Sequence, residues 1–217
     1  MNYVQIFLAA IIPPLSVVYF IYRNDLHEKE PHSLLFKTLF VGSMTVIPVL
    51  MFSPGRDYYS NSFVYAMVGV ALFEEGSKFL FLRFFNYKKP DFNEPYDGIF
   101  YAVIISMGFA LVENIAYVIG SVGNEIEVAI IRMFTAIPLH ATCGVIMGYY
   151  MGKAKFNNKF KMLLLFVGLF YSIIIHGLYD YFLFAGYGVA FSMIILSIAF
   201  YLSNRSIKSH QNISKFK

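Results

Sequence analysis

The chain has 217 residues, of which 58% are hydrophobic and only 14% charged, and its mean hydropathy is +0.61. Soluble domains run nearer roughly 45–50% apolar and about 25% charged, so a soluble globular protein is excluded. The lone cysteine, Cys143, excludes an intramolecular disulfide framework. The net charge of +4 reads as a membrane-topology signal, and no nucleic-acid partner is expected.

Seven membrane spans are predicted: Val4–Tyr22, Leu34–Phe52, Ser62–Leu82, Gly98–Ile119, Met133–Met151, Met162–Phe184 and Val189–Leu202. Each of the first six is close to the roughly 20 residues that cross a bilayer, whereas the last is short. The first is expected to be a span and not a cleavable signal peptide, because it is too long and lacks a basic n-region and a small-x-small exit. Pro13 and Pro14 are expected to kink it. The fold class is therefore an all-α transmembrane bundle. Residues 1–217 form one integral-membrane domain, with 203–217 a short basic tail.

Fourteen of the 17 lysines and arginines fall in the segments at one end of these spans. The other end receives only Arg56 and Arg132, and Lys78 lies within a span. The positive-inside rule then puts the N-terminus outside and the C-terminus in the cytoplasm.

The third span carries Glu74-Glu75-Gly76-Ser77-Lys78. An ionised Asp, Lys or Arg at the bilayer centre costs about 2.5–3.5 kcal/mol, so such residues face protein or a wet cavity. Lys78 is four residues from Glu74 and three from Glu75, within reach of either on one helix. The two glutamates point about 100° apart, so one is expected to aim into a site while the other braces it. As a close pair of carboxyls they are expected to share a proton. Glu113, His140, and the pair His176 and Asp180 follow on later spans. Glu113 has no cation within one turn and needs a partner on another helix. Scattered, these groups would cost on the order of 10 kcal/mol; around one cavity they would not. Gly144, Gly148 and Gly152 form a small-residue ridge read as helix packing, and His140 continues its row.

Glu74-Glu75-x-x-Lys78, Phe109-x-x-x-Glu113-Asn114, His140 and His176-x-x-x-Asp180, in this order on successive spans, resemble the PrsW family of intramembrane proteases. The context agrees, with Tyr96-Asp97-Gly98 opening span four and Gly144-Val145-Ile146-Met147-Gly148 following His140. The resemblance implies a multi-pass enzyme of the bacterial cytoplasmic membrane. Its implied substrate is a single-span membrane anti-sigma factor, on which it makes the first cut. The wider superfamily, shared with the type II CAAX prenyl proteases, is described as glutamate-dependent. It tends to carry His and Asn where this chain has Glu113 and Asp180, so oxyanion roles do not transfer directly.

The expected chemistry is a glutamic endopeptidase without a metal or other cofactor. Glu74 or Glu75 takes a proton from water, and Lys78 holds and tunes the pair. His176 and His140 donate to the oxyanion, Asp180 orients His176, and Glu113 supports the water or carries the proton to the leaving amine. Phe109 and Asn114 are supporting residues. Two other readings fit the same residues: a zinc-dependent intramembrane metalloprotease, and a non-enzymatic proton-coupled transporter. At about 1.5 Å per residue, Glu113, His140 and His176 lie roughly 9–12 Å inside the outer ends of their spans and Glu74 roughly 18 Å. Side chains lean toward their own helix N-terminus, which lets all four meet in the outer half of the membrane.

Overall fold

The computed structural model describes residues 3–216, and no strand occurs among them. Lys217, counted in the basic tail, lies outside the described residues. Helix α1 (Tyr3–Arg23) runs unbroken through Pro13 and Pro14. The second span is two helices, α2 (His32–Met44) and α3 (Val46–Phe52). The third is a continuous helical run of mixed pitch: α4 (Ser62–Val64), a π segment Tyr65–Ala71, α5 (Leu72–Phe81) and a second π segment Leu82–Asn86. There follow α6 (Pro95–Gly120), α7 (Glu125–Phe134), α8 (Ala136–Lys155), α9 (Lys161–Phe184) and α10 (Val189–Asn212).

Six helical stretches are long and apolar enough to cross a membrane: α1, α2 with α3, α6, α7 with α8, α9 and α10. The run from 62 to 86 makes the seventh rod of the bundle. Two breaks share one cause. Pro48 and Pro138 each stand third in the helix after the break, and a proline ring clashes with the carbonyl four residues back. Those residues are Met44 and Phe134, the last of α2 and of α7. In the first turn of α3 and α8 the missing N–H is harmless. Helix α7 was not anticipated, and α8 starts at Ala136 where Met133 was expected. The final helix extends past Leu202 to Asn212.

Helix α6 is the axis. Every residue from Tyr96 to Ala110 is buried, and α1, α2, α5, α7, α8 and α10 all pack on it. Its tightest neighbour is α8. Gly148 meets the backbone of Gly98 and Ile99, Gly152 meets the Pro95 carbonyl, and a methyl group added at either would collide. Large apolar side chains such as Leu50, Phe84, Phe166 and Phe200 are exposed on the rim, as a lipid-facing surface requires.

The basic segments gather at one end of the bundle. Gln211 donates to the Asn24 carbonyl, Ser214 to Glu94, and Tyr101 to Glu30, while the Lys155 ammonium bonds the Tyr87 carbonyl. Asp25, Glu30, Glu94 and Asp97 are all buried there.

Candidate active site

The Glu74-Glu75 pair opens α5, directly after a π segment. There the Leu72 N–H bonds the Met67 carbonyl, five residues back. The wider turn rotates the faces that follow, and such turns recur at functional sites. Ser77 fixes the depth of α5 by donating to the Thr45 carbonyl at the α2–α3 break, at 2.7 Å.

Lys78 is the hub. Its Nζ is 2.8 Å from Glu75 Oε1, 3.4 Å from Glu74 Oε2 and 3.1 Å from His140 Nδ1. It also lies over the Phe109 ring, 4.1 Å from the centroid, a favourable cation–π contact. Glu75 Oε1 also accepts from His176 Nδ1 at 2.9 Å. The other nitrogen of His176, Nε2, is 3.4 Å from Asp180 Oδ2 and 3.8 Å from Glu74 Oε2. The two imidazoles stand edge-to-face, 5.2 Å between centroids. Glu74, Glu75, Lys78, His140, His176 and Asp180 are all buried. Three helical rods, those of α5, α8 and α9, thus contribute to one charged cluster within an apolar bundle.

The cluster borders a cavity of about 680 Å³. Glu74, Glu113, His140, His176 and Asp180 line it, whereas Glu75 and Lys78 lie behind its wall. The remaining wall is largely apolar and reaches Ser53, Tyr65, Thr135, Phe184 and Val189, so the cavity extends toward the end opposite the basic segments. This size and lining, mostly apolar with a few convergent polar groups, suits a ligand site.

Glu113 finds the interhelical partners that its sequence surroundings lacked. Its Oε2 accepts from His140 Nε2 at 2.9 Å and from Arg132 Nη2 at 2.6 Å. Next to it, Asn114 Oδ1 accepts from Arg132 Nε at 2.7 Å, and its amide donates to the Ala10 carbonyl of α1. Arg132 is the site residue that the sequence did not reveal. Starting the fifth span at Met133 left it one residue outside, as a loop charge. Gly144, Gly148 and Gly152 lie on the α6–α8 seam; Gly144 touches Ser106 and Val103, away from the cavity wall.

Two glutamates and two histidines share one buried cluster at the wall of a cavity inside the helical bundle, so the class is a multi-pass membrane protein with an ionisable site at its core. Residues 30–203 match the PrsW family intramembrane metalloprotease. The chain is 34% identical to Protease PrsW of Halalkalibacterium halodurans over 175 residues, 79% of this chain and 80% of that one. It is 33% identical to Protease PrsW of Bacillus subtilis over 179 residues, 81% of each. With Protease PrsW of Clostridioides difficile it shares 32% identity over 203 residues, 89% of this chain and 85% of that one. The chain belongs to the PrsW family of intramembrane proteases, multi-pass proteins of the bacterial cell membrane. No solved structure matches it.

The family description raises the question of a metal. The donor types are right: ligand atoms of Glu74, Glu75, His140 and His176 all lie within 4.8 Å of one another, and zinc takes imidazole and carboxylate ligands. Lys78, however, already bonds three of the four with its ammonium. A divalent ion would compete with this ammonium for the one lone pair of His140 Nδ1, while among the described residues Glu75 Oε2 is buried without a partner and Lys78 does not bond His176. The four donors could hold a metal together only with Lys78 withdrawn from them.

Proposed function

We propose that the chain is an intramembrane endopeptidase in which Glu74 activates the attacking water. The observation that carries this reading is the asymmetry of the glutamate pair: Glu74 lines the cavity, while Glu75 is held behind it by Lys78 and His176. Glu74 takes a proton from water as the water oxygen bonds to the scissile carbonyl carbon. The oxyanion so formed is met by His176 Nε2, whose ring Glu75 and Asp180 orient; such donors are often the largest catalytic contribution. Collapse breaks the C–N bond, and the proton on Glu74 passes to the leaving amine. The oxyanion role expected for His140 falls away in this scheme, because Lys78 and Glu113 hold its two nitrogens at 3.1 and 2.9 Å, whereas His176 Nε2 has only the longer contacts to Asp180 and Glu74, at 3.4 and 3.8 Å.

The substrate we propose is a single-span membrane anti-sigma factor, cut first by this enzyme at its extracytoplasmic end. The basic segments at one end of the bundle support an inside assignment for that end, which turns the cavity outward. The test is co-expression with the single-span anti-sigma protein encoded beside a sigma factor in the same genome. Cleavage by the wild type and none by Glu74→Gln is expected; cleavage by both would refute the assignment. The metal reading uses the same four donors and requires Lys78 to withdraw. Loss of cleavage on chelation would favour it. A proton-coupled transporter would instead show ion-dependent flux and no cleavage.

A further inference from the structure

Arg132 lies outside every motif of the chain, yet it makes the most directed contacts on the cavity wall. Its guanidinium spans one face of α6, bonding Glu113 and Asn114 and lying over the Tyr117 ring, with Cζ 4.2 Å from the centroid. Asn114 is itself oriented from behind. Its amide nitrogen donates to the Ala10 carbonyl at 2.7 Å, which turns Oδ1 toward Arg132. A lysine could not copy this grip, because only the planar guanidinium presents Nε and Nη2 to two neighbouring acceptors.

The contacts continue inward. An ammonium has donors and no lone pair, so in the Lys78–His140 contact His140 Nδ1 must accept. The proton of a neutral His140 then sits on Nε2, and Glu113 Oε2 receives it. The same oxygen is the one that Arg132 holds. One unbroken path therefore runs Asn114, Arg132, Glu113, His140, Lys78, Glu74.

We infer that Arg132 is a positioning residue: by fixing Glu113 it keeps the His140 proton on Nε2, leaving a bare Nδ1 to hold Lys78 beside Glu74. Without the guanidinium, Glu113 is free to swing and His140 loses one of the two partners, Glu113 and Lys78, that together select its tautomer. Lys78 then loses its third partner and settles further onto the glutamates. The effect on turnover rests on the protease reading; the effect on His140 does not.

The test has two arms, both on the full-length chain in nanodiscs. In the first, ¹⁵N-histidine spectra are recorded, with the His140 signals assigned by their disappearance in His140→Asn. Wild type should show His140 as a neutral ring protonated on Nε2. Arg132→Met should shift or exchange-broaden that signature, with Arg132→Lys intermediate. If Arg132→Met does not accumulate, Arg132→Lys carries this arm alone. A His140 signature unchanged in the variants overturns the inference. The second arm measures cleavage of a reconstituted single-span anti-sigma protein. Arg132→Met should lower kcat about 10- to 100-fold, the scale of a small misplacement of reacting groups, with KM within about twofold and Arg132→Lys recovering part of the loss. A change confined to KM also overturns it. If wild type cleaves nothing, the protease reading has failed and the first arm still decides the role of Arg132.

Discussion

The Lys78 ammonium stands 3.1 Å from His140 Nδ1, so a cation carried by α5 occupies the point on which a histidine of α8 and two glutamates of α5 converge. In many hydrolases a metal ion supplies the positive charge at such a point. Here a side chain supplies it, and the consequences for mutation follow from what each partner loses.

Glu74→Gln and Glu75→Gln should both abolish cleavage, for different reasons. Glu74 borders the cavity, and losing its base function should reduce kcat by about 10²–10⁴-fold at near-normal thermal stability. Glu75 is fully buried with Lys78 and His176 on one oxygen, and breaking a buried pair costs about 3–5 kcal/mol. Its variant should therefore lose stability as well. Lys78→Met should also destabilise, yet impair turnover less than either glutamate change, and the double variant Glu75→Gln/Lys78→Met should recover part of the stability. Thermal unfolding of the purified proteins beside a cleavage assay separates these outcomes. Equal stability of all the single variants would contradict the division of labour between the two glutamates.

The end of the bundle that carries the basic segments should make stability fall as pH rises. Burial lifts the Asp25 carboxyl from 3.8 to about 6, against the pull of Lys29. Burial likewise lifts Glu30 from 4.5 to about 9, opposed by the hydrogen bond from Tyr101. An acid whose folded pKa is raised binds more protons folded than unfolded, so stability declines between the unfolded and folded values. For Asp25 that window runs from about 4 to 6, and for Glu30 from about 4.5 to 9. Unfolding temperatures in detergent should drop from pH 5 to pH 9. Glu30→Gln should flatten most of that slope; a slope unchanged by it would show that the proton goes elsewhere.

Cleavage should fall at or near the extracytoplasmic juxtamembrane region of the substrate. The cavity wall runs from Glu74 and His176 toward Ser53, Thr135 and Val189, at the end away from the basic segments. Sequencing the new N-terminus of a cleaved substrate locates the cut. A cut on the cytoplasmic side would mean that the orientation or the site is inverted.

Much of this was legible in the chain for simple physical reasons. Hydropathy marks the rods because lipid tolerates only long apolar helices. Glu74, Glu75, Lys78, Glu113, His140, His176 and Asp180 stood out because ionisable groups are costly inside such segments. Their partners were harder to read. The contact between Lys78 and His140 joins residues 62 positions apart, and no local periodicity encodes it.

Helix α7 was missed although its cause was in view. Pro138 disfavours a helix continuing unbroken from Phe134, although α1 carries Pro13 and Pro14 without a break, and the short amphipathic segment before it was read as a loop. With it went Arg132. The π turns around α5 left no trace either, since no residue type marks them; the first packs against α9 and the second against α6. The buried carboxyls at the basic end, Asp25 and Glu94, come from loop sequences that look like ordinary polar connections.

The most direct measurement is a cleavage assay on the purified chain, reconstituted with a single-span anti-sigma substrate after prolonged dialysis against a strong chelator. Wild type and Glu74→Gln are compared side by side, with metal content determined on the same samples. The expected result is full wild-type cleavage without stoichiometric zinc, and none by Glu74→Gln. Cleavage that vanishes on chelation and returns with zinc, or that survives the loss of Glu74, would contradict glutamate-activated hydrolysis.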